Sequence, residues 1–208
     1  DFNCECDYCN NYTYLWDIGD DTVWVEIPKN ASRALKTIYR PVDTVVRKKD
    51  LQKYKKFKIV LRDPVERFRS LLSHYFTPNY NLNNIHSGRE RYGLEWLQKH
   101  YSYLLQVNKI NTTNLCDIIM RDILLLRDIE ASHHFNSQSY FIPDEILSSN
   151  KMEIIDINNM KNTSPILNRS NSHKIRLSAG NVSRINQLYN DDVRLVEKYL
   201  KTSKKGPK

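Results

Sequence analysis

KIVLRDPVERFRSLLSHYF, residues 58–76, decides how this chain reads. An apolar strand runs into Arg62, and a helix with its own start signal follows at once. Asp63 is placed to N-cap that helix, and Pro64 suits its first position, where a missing N–H is no loss. Val65, Phe68, Leu71, Leu72 and Tyr75 recur at helical spacing and predict the buried stripe, which leaves Arg67, Ser70 and His74 together on another face. Arg62 at the strand's end and Ser70 two turns into the helix are therefore expected to flank one pocket. A guanidinium and a hydroxyl at the carboxyl end of a strand are chemistry for a phosphate.

A partner element lies upstream. Residues 22–27, TVWVEI, predict a second buried strand, followed by Pro28-Lys29-Asn30-Ala31-Ser32-Arg33 and a helical run, ALKTIY. A strand, a short loop with lysine and serine, and a helix N-terminus point backbone N–H groups and a helix dipole at an anion. The GxxxxGK[ST] pattern of a Walker A loop is absent, which argues against a plain ATPase.

Together these motifs resemble the nucleotide-binding elements of the carbohydrate O-sulfotransferases, the heparan- and chondroitin-type enzymes that use 3′-phosphoadenosine 5′-phosphosulfate (PAPS). IPKNASRAL is similar to their 5′-phosphosulfate loop. IVLRDPVERFRS is similar to their 3′-phosphate motif, with Arg62 and Ser70 eight residues apart as the family pattern has them. His134-Phe135-Asn136-Ser137-Gln138 resembles the His-x-x-x-Gln block of the chondroitin-type members, and LYNDDVRLVEKY, with Tyr189 and Asp192, resembles their C-terminal helix. The chain departs from the family at Arg33-Ala34, where a small residue and serine or threonine are common. The resemblance touches residues 22–200 and implies a P-loop-NTPase-like, three-layer α/β fold with a mostly parallel central sheet flanked by helices. It implies transfer of a sulfuryl group from PAPS to an acceptor hydroxyl, on a carbohydrate, with 3′-phosphoadenosine 5′-phosphate as product.

On that reading Lys29, Asn30, Ala31, Ser32 and Arg33 surround the 5′ end of the nucleotide, and Arg62 and Ser70 bind its 3′-phosphate. Lys29 also stabilises charge on the leaving group, since a flexible ammonium on the loop can reach the bridging oxygen. The acceptor hydroxyl needs a base. His134 is preferred because histidine has a suitable pKa and this one sits in the family block; Asp43 is the carboxylate alternative. Gln138 is expected to orient His134 or the acceptor, or to serve as a plain structural hydrogen bond. Arg67 either joins the site or pairs with Asp63 or another acid.

Composition agrees with one folded domain. The chain has 208 residues, 40% hydrophobic and 11% aromatic, enough for a normal core. A net charge of +8 favours anionic ligands, but no nucleic-acid-binding motif accompanies it. Strands alternating with helices argue independently for an α/β sheet, mostly parallel, with ligands at the carboxyl ends of its strands. Residues 1–21 read as a Cys-containing N-terminal segment, 22–200 as the sulfotransferase domain and 201–208 as a basic tail expected to be disordered. Residues 92–108 and 114–127 read as helices, the second broken near Arg121–Asp122, with a long polar loop at 77–91 between the motif helix and the first; MEIIDI at 152–157 reads as a strand and residues 182–200 as one or two helices.

Cys4, Cys6 and Cys9 crowd the N-terminus and Cys116 stands apart; free thiols, a disulfide and a zinc set all fit, and no metal is assigned. No run of apolar residues is long enough to span a membrane. The compartment stays open between cytoplasmic, which is preferred, and a Golgi-lumenal catalytic domain. Six Asn-x-Ser/Thr sequons occur, at Asn11, Asn30, Asn111, Asn162, Asn168 and Asn181, and a glycan on Asn30 would obstruct the site. Two rival functions share these features: a nucleotide kinase or other phosphotransferase, and a non-catalytic polyanion-binding module. The first should carry serine or threonine after its lysine, where this chain has Asn30. The second needs no strand-loop-helix anion site.

Overall fold

A computed structural model describes residues 14–41, 45–76, 134–160 and 176–201, which fall into two compact units. Their side chains are described except for Arg33, residues 73–76 and Lys201. Asp43, the four cysteines, the helices read at 92–108 and 114–127, the loop at 77–91 and the tail beyond 201 lie outside the described residues.

The sheet unit holds the described residues of 11–63, 137–169 and 190–208. Its first two strands, β1 (Leu15–Asp17) and β2 (Thr22–Val25), pair antiparallel with Trp16 opposite Trp24. The turn between them is left-handed at Gly19, Asp20 and Asp21, with φ of 84°, 50° and 53°. Glycine has no Cβ to clash there, and aspartate tolerates the region because its short side chain bonds locally. Asp17, at the end of β1, braces the turn by accepting the Gly19 N–H at 2.8 Å. β1 lies in the segment 1–21 that the sequence left without an element. Its three residues are too short a run to show a period.

α1 (Ser32–Tyr39) follows β2 across a tight loop, and β3 (Lys56–Leu61) then pairs parallel to β2, with Val25 beside Ile59. The motif strand thus sits next to the upstream strand. The sheet order is β1-β2-β3-β4, where β4 (Met152–Asp156) also runs parallel to β3. Two of the three pairings are parallel, as the alternation of strands and helices implies. The chain is an α/β protein. β2 is shorter than the run 22–27 and β4 shorter than 152–157. Glu26 still donates its N–H to the Tyr14 carbonyl at 2.7 Å, and Ile157 opens a short helix.

Alternation along the strands divides the apolar side chains between two faces. Val23, Val25, Ile27, Phe57, Ile59 and Leu61 join Leu15, Phe141, Ile142, Ile146 and Val196 in one buried cluster. Trp24 and Val60 join Leu35 of α1 and Ile157 in another. Both faces are therefore covered, which is why β2 and β3 read as continuous apolar runs. Tyr39, at the end of α1, tilts against Trp24 with ring centroids 5.6 Å apart; burial, and after it the Glu153 carboxylate, push its phenol above the usual value.

The helical unit holds the described residues of 64–136 and 170–189. α2 (Pro64–Phe76) begins directly after Asp63, where the sequence places it. Val65, Phe68, Leu71 and Leu72 are buried as the stripe predicts, but Arg67 and Ser70 are buried too. Numbering the remaining helices in chain order, α3 is Asp144–Leu147 and α4 is Ile157–Met160, both in the sheet unit. α5 (Ala179–Leu188) belongs to the helical unit and starts ahead of the run read at 182–200, because Ser178 caps it by accepting the Asn181 N–H at 3.1 Å. α6 (Asn190–Val196) and a π-helical turn (Glu197–Lys201) return to the sheet unit. Asn30 and Asn181 are each 1% exposed, so neither sequon is open to glycosylation in the folded chain.

The core account makes a stability prediction. Ile59→Ala empties a fully buried position between two parallel neighbours, and Ile38→Ala trims a residue that is 47% exposed. The first should cost about 2–5 kcal/mol and the second less than about 0.5 kcal/mol in urea unfolding. Similar losses for both would contradict the placement of β3 at the centre of the sheet.

Candidate functional site

The parallel arrangement brings the carboxyl ends of β2, β3 and β4 to one edge of the sheet. β2 leads there into Pro28-Lys29-Asn30-Ala31, and β3 into Arg62. This is where open α/β sheets bind ligands.

The loop is tightly wound. Lys29 and Ala31 both adopt left-handed backbone, with φ of 69° and 66°, on either side of Asn30. Neither is glycine, so each conformation costs on the order of 1–2 kcal/mol and must be held by its surroundings. The hold comes from inside. The Asn30 N–H donates to the Ile27 carbonyl at 3.1 Å, and its Nδ2 donates to the Val60 carbonyl at 2.8 Å and to Gln138 Oε1 at 2.6 Å. Ser32 Oγ donates back to the Ile27 carbonyl at 3.2 Å instead of capping α1. Ala31 occupies the N-cap position without a side-chain cap, and the first turn of α1 carries no acidic residue. The N–H groups that open a helix have no intrahelical partner, so this terminus presents uncapped donors and the positive end of a dipole.

Arg62 closes the arrangement. Its guanidinium donates to the Lys29 carbonyl at 3.1 Å, tying the end of β3 to the loop after β2. Its backbone is held by Gln138, whose Oε1 accepts the Arg62 N–H at 3.0 Å and whose Nε2 donates to the Arg62 carbonyl at 2.8 Å. The Gln138 amide is thus engaged by Arg62 and Asn30. These are structural hydrogen bonds, one of the roles the sequence leaves open for it.

The expected site residues are distributed as follows. Lys29, Asn30, Ala31, Ser32 and Arg62 lie together at the sheet edge, and Arg33 lies in the first turn of α1. Asn30 contributes from behind the loop, with both its amide and its side chain turned inward. Ser70 and His134 belong to the helical unit, where Ser70 is buried on α2. There Arg67 donates to the His134 carbonyl at 3.0 Å and to the Asn136 carbonyl at 2.7 Å. Asp43 lies outside the described residues.

Two residues at or behind the edge, Asp156 and Glu26, escaped the sequence reading, and Asp192 was named there for its place in the C-terminal helix without a role at the edge. Asp192 accepts the Gln138 and Ser139 N–H groups at 2.8 and 3.0 Å and is fully buried. Asp156 ends β4 and accepts the Asn158 N–H at 2.8 Å. Glu26, hidden inside an apolar run, is buried and bound by Trp16 Nε1 at 2.7 Å and Lys36 Nζ at 3.2 Å. Compared with family models, curated proteins and solved structures, the chain matches none.

The loop geometry is directly testable. Ala31→Val forces a β-branched side chain to φ 66° and should destabilise by about 2 kcal/mol or more, while Ala31→Gly, relieved of strain but losing a methyl contact, should change stability by less than about 1 kcal/mol. Thermal or urea unfolding of the two variants reads the difference. Equal effects would mean that residue 31 is not left-handed.

Proposed function

We propose that this chain is a PAPS-dependent sulfotransferase, moving a sulfuryl group to an acceptor hydroxyl on a carbohydrate. The observation that carries the reading is the Arg62 guanidinium resting on the Lys29 carbonyl, which sets a fixed cation beside the uncapped N-terminus of α1. Two anion-binding devices on adjacent parallel strands suit a ligand with two anionic groups. The resemblance of both motifs to the sulfotransferase elements adds that the groups are a 5′-phosphosulfate and a 3′-phosphate. The finer fold reading, a P-loop-NTPase-like three-layer arrangement, belongs to the same proposal.

In the reaction the acceptor oxygen attacks sulfur, the bond from sulfur to the bridging oxygen breaks, and that oxygen leaves with the 5′-phosphate of 3′-phosphoadenosine 5′-phosphate. The acceptor proton passes to a base, His134 or, in the carboxylate alternative, Asp43. Little covalent chemistry falls to the protein, so positioning and electrostatics carry most of the rate. The amides of Ala31 and Ser32 and the dipole of α1 receive the 5′ end, and Arg33 lies beside them in sequence. Lys29 neutralises charge growing on the bridging oxygen. Arg62 takes the 3′-phosphate; a planar fork of donors suits that group better than an ammonium does.

Thermal shift with 3′-phosphoadenosine 5′-phosphate, AMP and ATP tests the nucleotide, because a ligand that binds only the native state raises its melting point. The first should bind much better than AMP. Arg62→Ala should remove most of that preference, about tenfold to more than a hundredfold, the worth of a charged hydrogen bond. Equal binding of both by the unmodified chain contradicts the proposal, and selective binding of ATP makes the protein a phosphotransferase.

Lys29→Ala separates binding from catalysis. With labelled PAPS and a panel of sugar acceptors, turnover should fall far more than nucleotide affinity, since the interaction strengthens only as the leaving group gains charge. Weakened binding with undiminished turnover at saturation would make Lys29 an ordinary phosphate contact.

A further inference from the structure

Gln138 is buried with no exposed surface, and its side-chain amide bonds Arg62 and Asn30. It pairs with Arg62 through both backbone polar atoms, as a residue on an adjacent strand does. It does so at the residue after β3 ends, where the ladder no longer fixes the chain. The same Oε1 accepts Nδ2 of Asn30, whose other Nδ2 bond goes to the Val60 carbonyl. One amide therefore fastens both devices of the anion site: the strand end that carries the guanidinium, and the loop between two left-handed residues.

Gln138 is itself fixed. Its N–H and that of Ser139 each bond one oxygen of the fully buried Asp192 carboxylate, in the first turn of α6. A negative group at a helix N-terminus is favourable, so Asp192 is held by its own helix while it holds the turn that presents Gln138. The chain of contacts runs from Asp192 to Gln138, and from there to Arg62 and Asn30.

We propose that Gln138 is a positioning residue for the anion site, presetting the Arg62 backbone and the loop at 28–31 before ligand arrives, with Asp192 as its anchor. The inference rests on the sulfotransferase reading for the identity of the ligand. Preorganisation has a consequence that packing alone lacks. Removing a residue that only stabilises the fold lowers the melting point and leaves the affinity of the folded chain unchanged. A positioning residue, when removed, makes the ligand reorder the site at its own expense and weakens binding by the folded chain.

Gln138→Met keeps the length of the side chain and deletes every amide contact. Calorimetry well below the melting point should show 3′-phosphoadenosine 5′-phosphate bound about tenfold more weakly or worse, because three buried partners lose their bonds. Hydrogen exchange of the Arg62 amide should accelerate in the same variant, as its acceptor is gone. Unchanged affinity in a cooperatively folded Gln138→Met overturns the proposal. Should that variant fail to fold, Asn30→Ala, which breaks the loop's bonds to Gln138 and to the Val60 carbonyl and leaves the pairing of Gln138 with Arg62, carries the test: a loss of about threefold or more supports it and none overturns it. Inorganic pyrophosphate separates this inference from the nucleotide reading. If the unmodified chain binds pyrophosphate but not the nucleotide, that reading fails, and the same comparison is made with pyrophosphate. If it binds neither, both fail.

Discussion

The pairing of one buried side-chain amide with the backbone of Arg62 is the constraint on which the rest of the sheet edge depends. A strand that ends inside a protein leaves N–H and C=O groups in need of partners, and leaving them unmet costs about 1–3 kcal/mol each. Gln138 meets both at Arg62 and still has an acceptor lone pair for Asn30. The strand end, the loop after β2 and the turn at 137–139 are thereby locked to one another. Removing any member leaves a buried group unsatisfied, so the three segments hold a single geometry. The left-handed Lys29 and Ala31 persist because of that lock.

Charge is arranged to match. Buried carboxylates among the described residues of the sheet unit are each engaged: Glu26 by Trp16 and Lys36, Asp192 by two backbone N–H groups. The first turn of α1 carries no acidic residue, so positive potential there is not cancelled from within the helix. In the helical unit the same economy of carbonyls recurs. The carbonyls of His134 and Asn136 accept from Arg67, and that of Phe135 accepts from Tyr189 Oη at 2.6 Å, so three successive carbonyls of the His-x-x-x-Gln block are bound. Tyr189 serves the first part of the block and Asp192 the second. Both roles are those of a frame.

Much of this was legible in the residues. The apolar runs ending at Arg62 and before Pro28 gave β2 and β3, because strands covered on both faces carry unbroken hydrophobic sequence. Pro64 marked the start of α2, and the loop-helix after β2 was clear from its short spacing. The rest was hidden for physical reasons. β1 is three residues long and exists through pairing with β2, which no local pattern encodes. Glu26 looked like part of a strand because its burial depends on Trp16 and Lys36, ten residues away on either side. Gln138 bonds residues 76 and 108 positions away, so the motif could flag the residue but not its partners. Arg67 read as a site residue or as a partner for an acid, and the two carbonyls that accept from it lie 67 and 69 positions away, beyond any local pattern.

The central claim is that the N-terminus of α1, Lys29 and Arg62 form a preset anion site, and a crystal structure with 3′-phosphoadenosine 5′-phosphate tests it most directly. The account predicts the 5′-phosphate within hydrogen-bond distance of the amides of Ala31 and Ser32, with Lys29 Nζ beside it and the 3′-phosphate on the Arg62 guanidinium. Gln138 should keep its bonds to Arg62 and Asn30. A nucleotide bound elsewhere, or a loop at 28–31 that unwinds to admit it, would contradict the account.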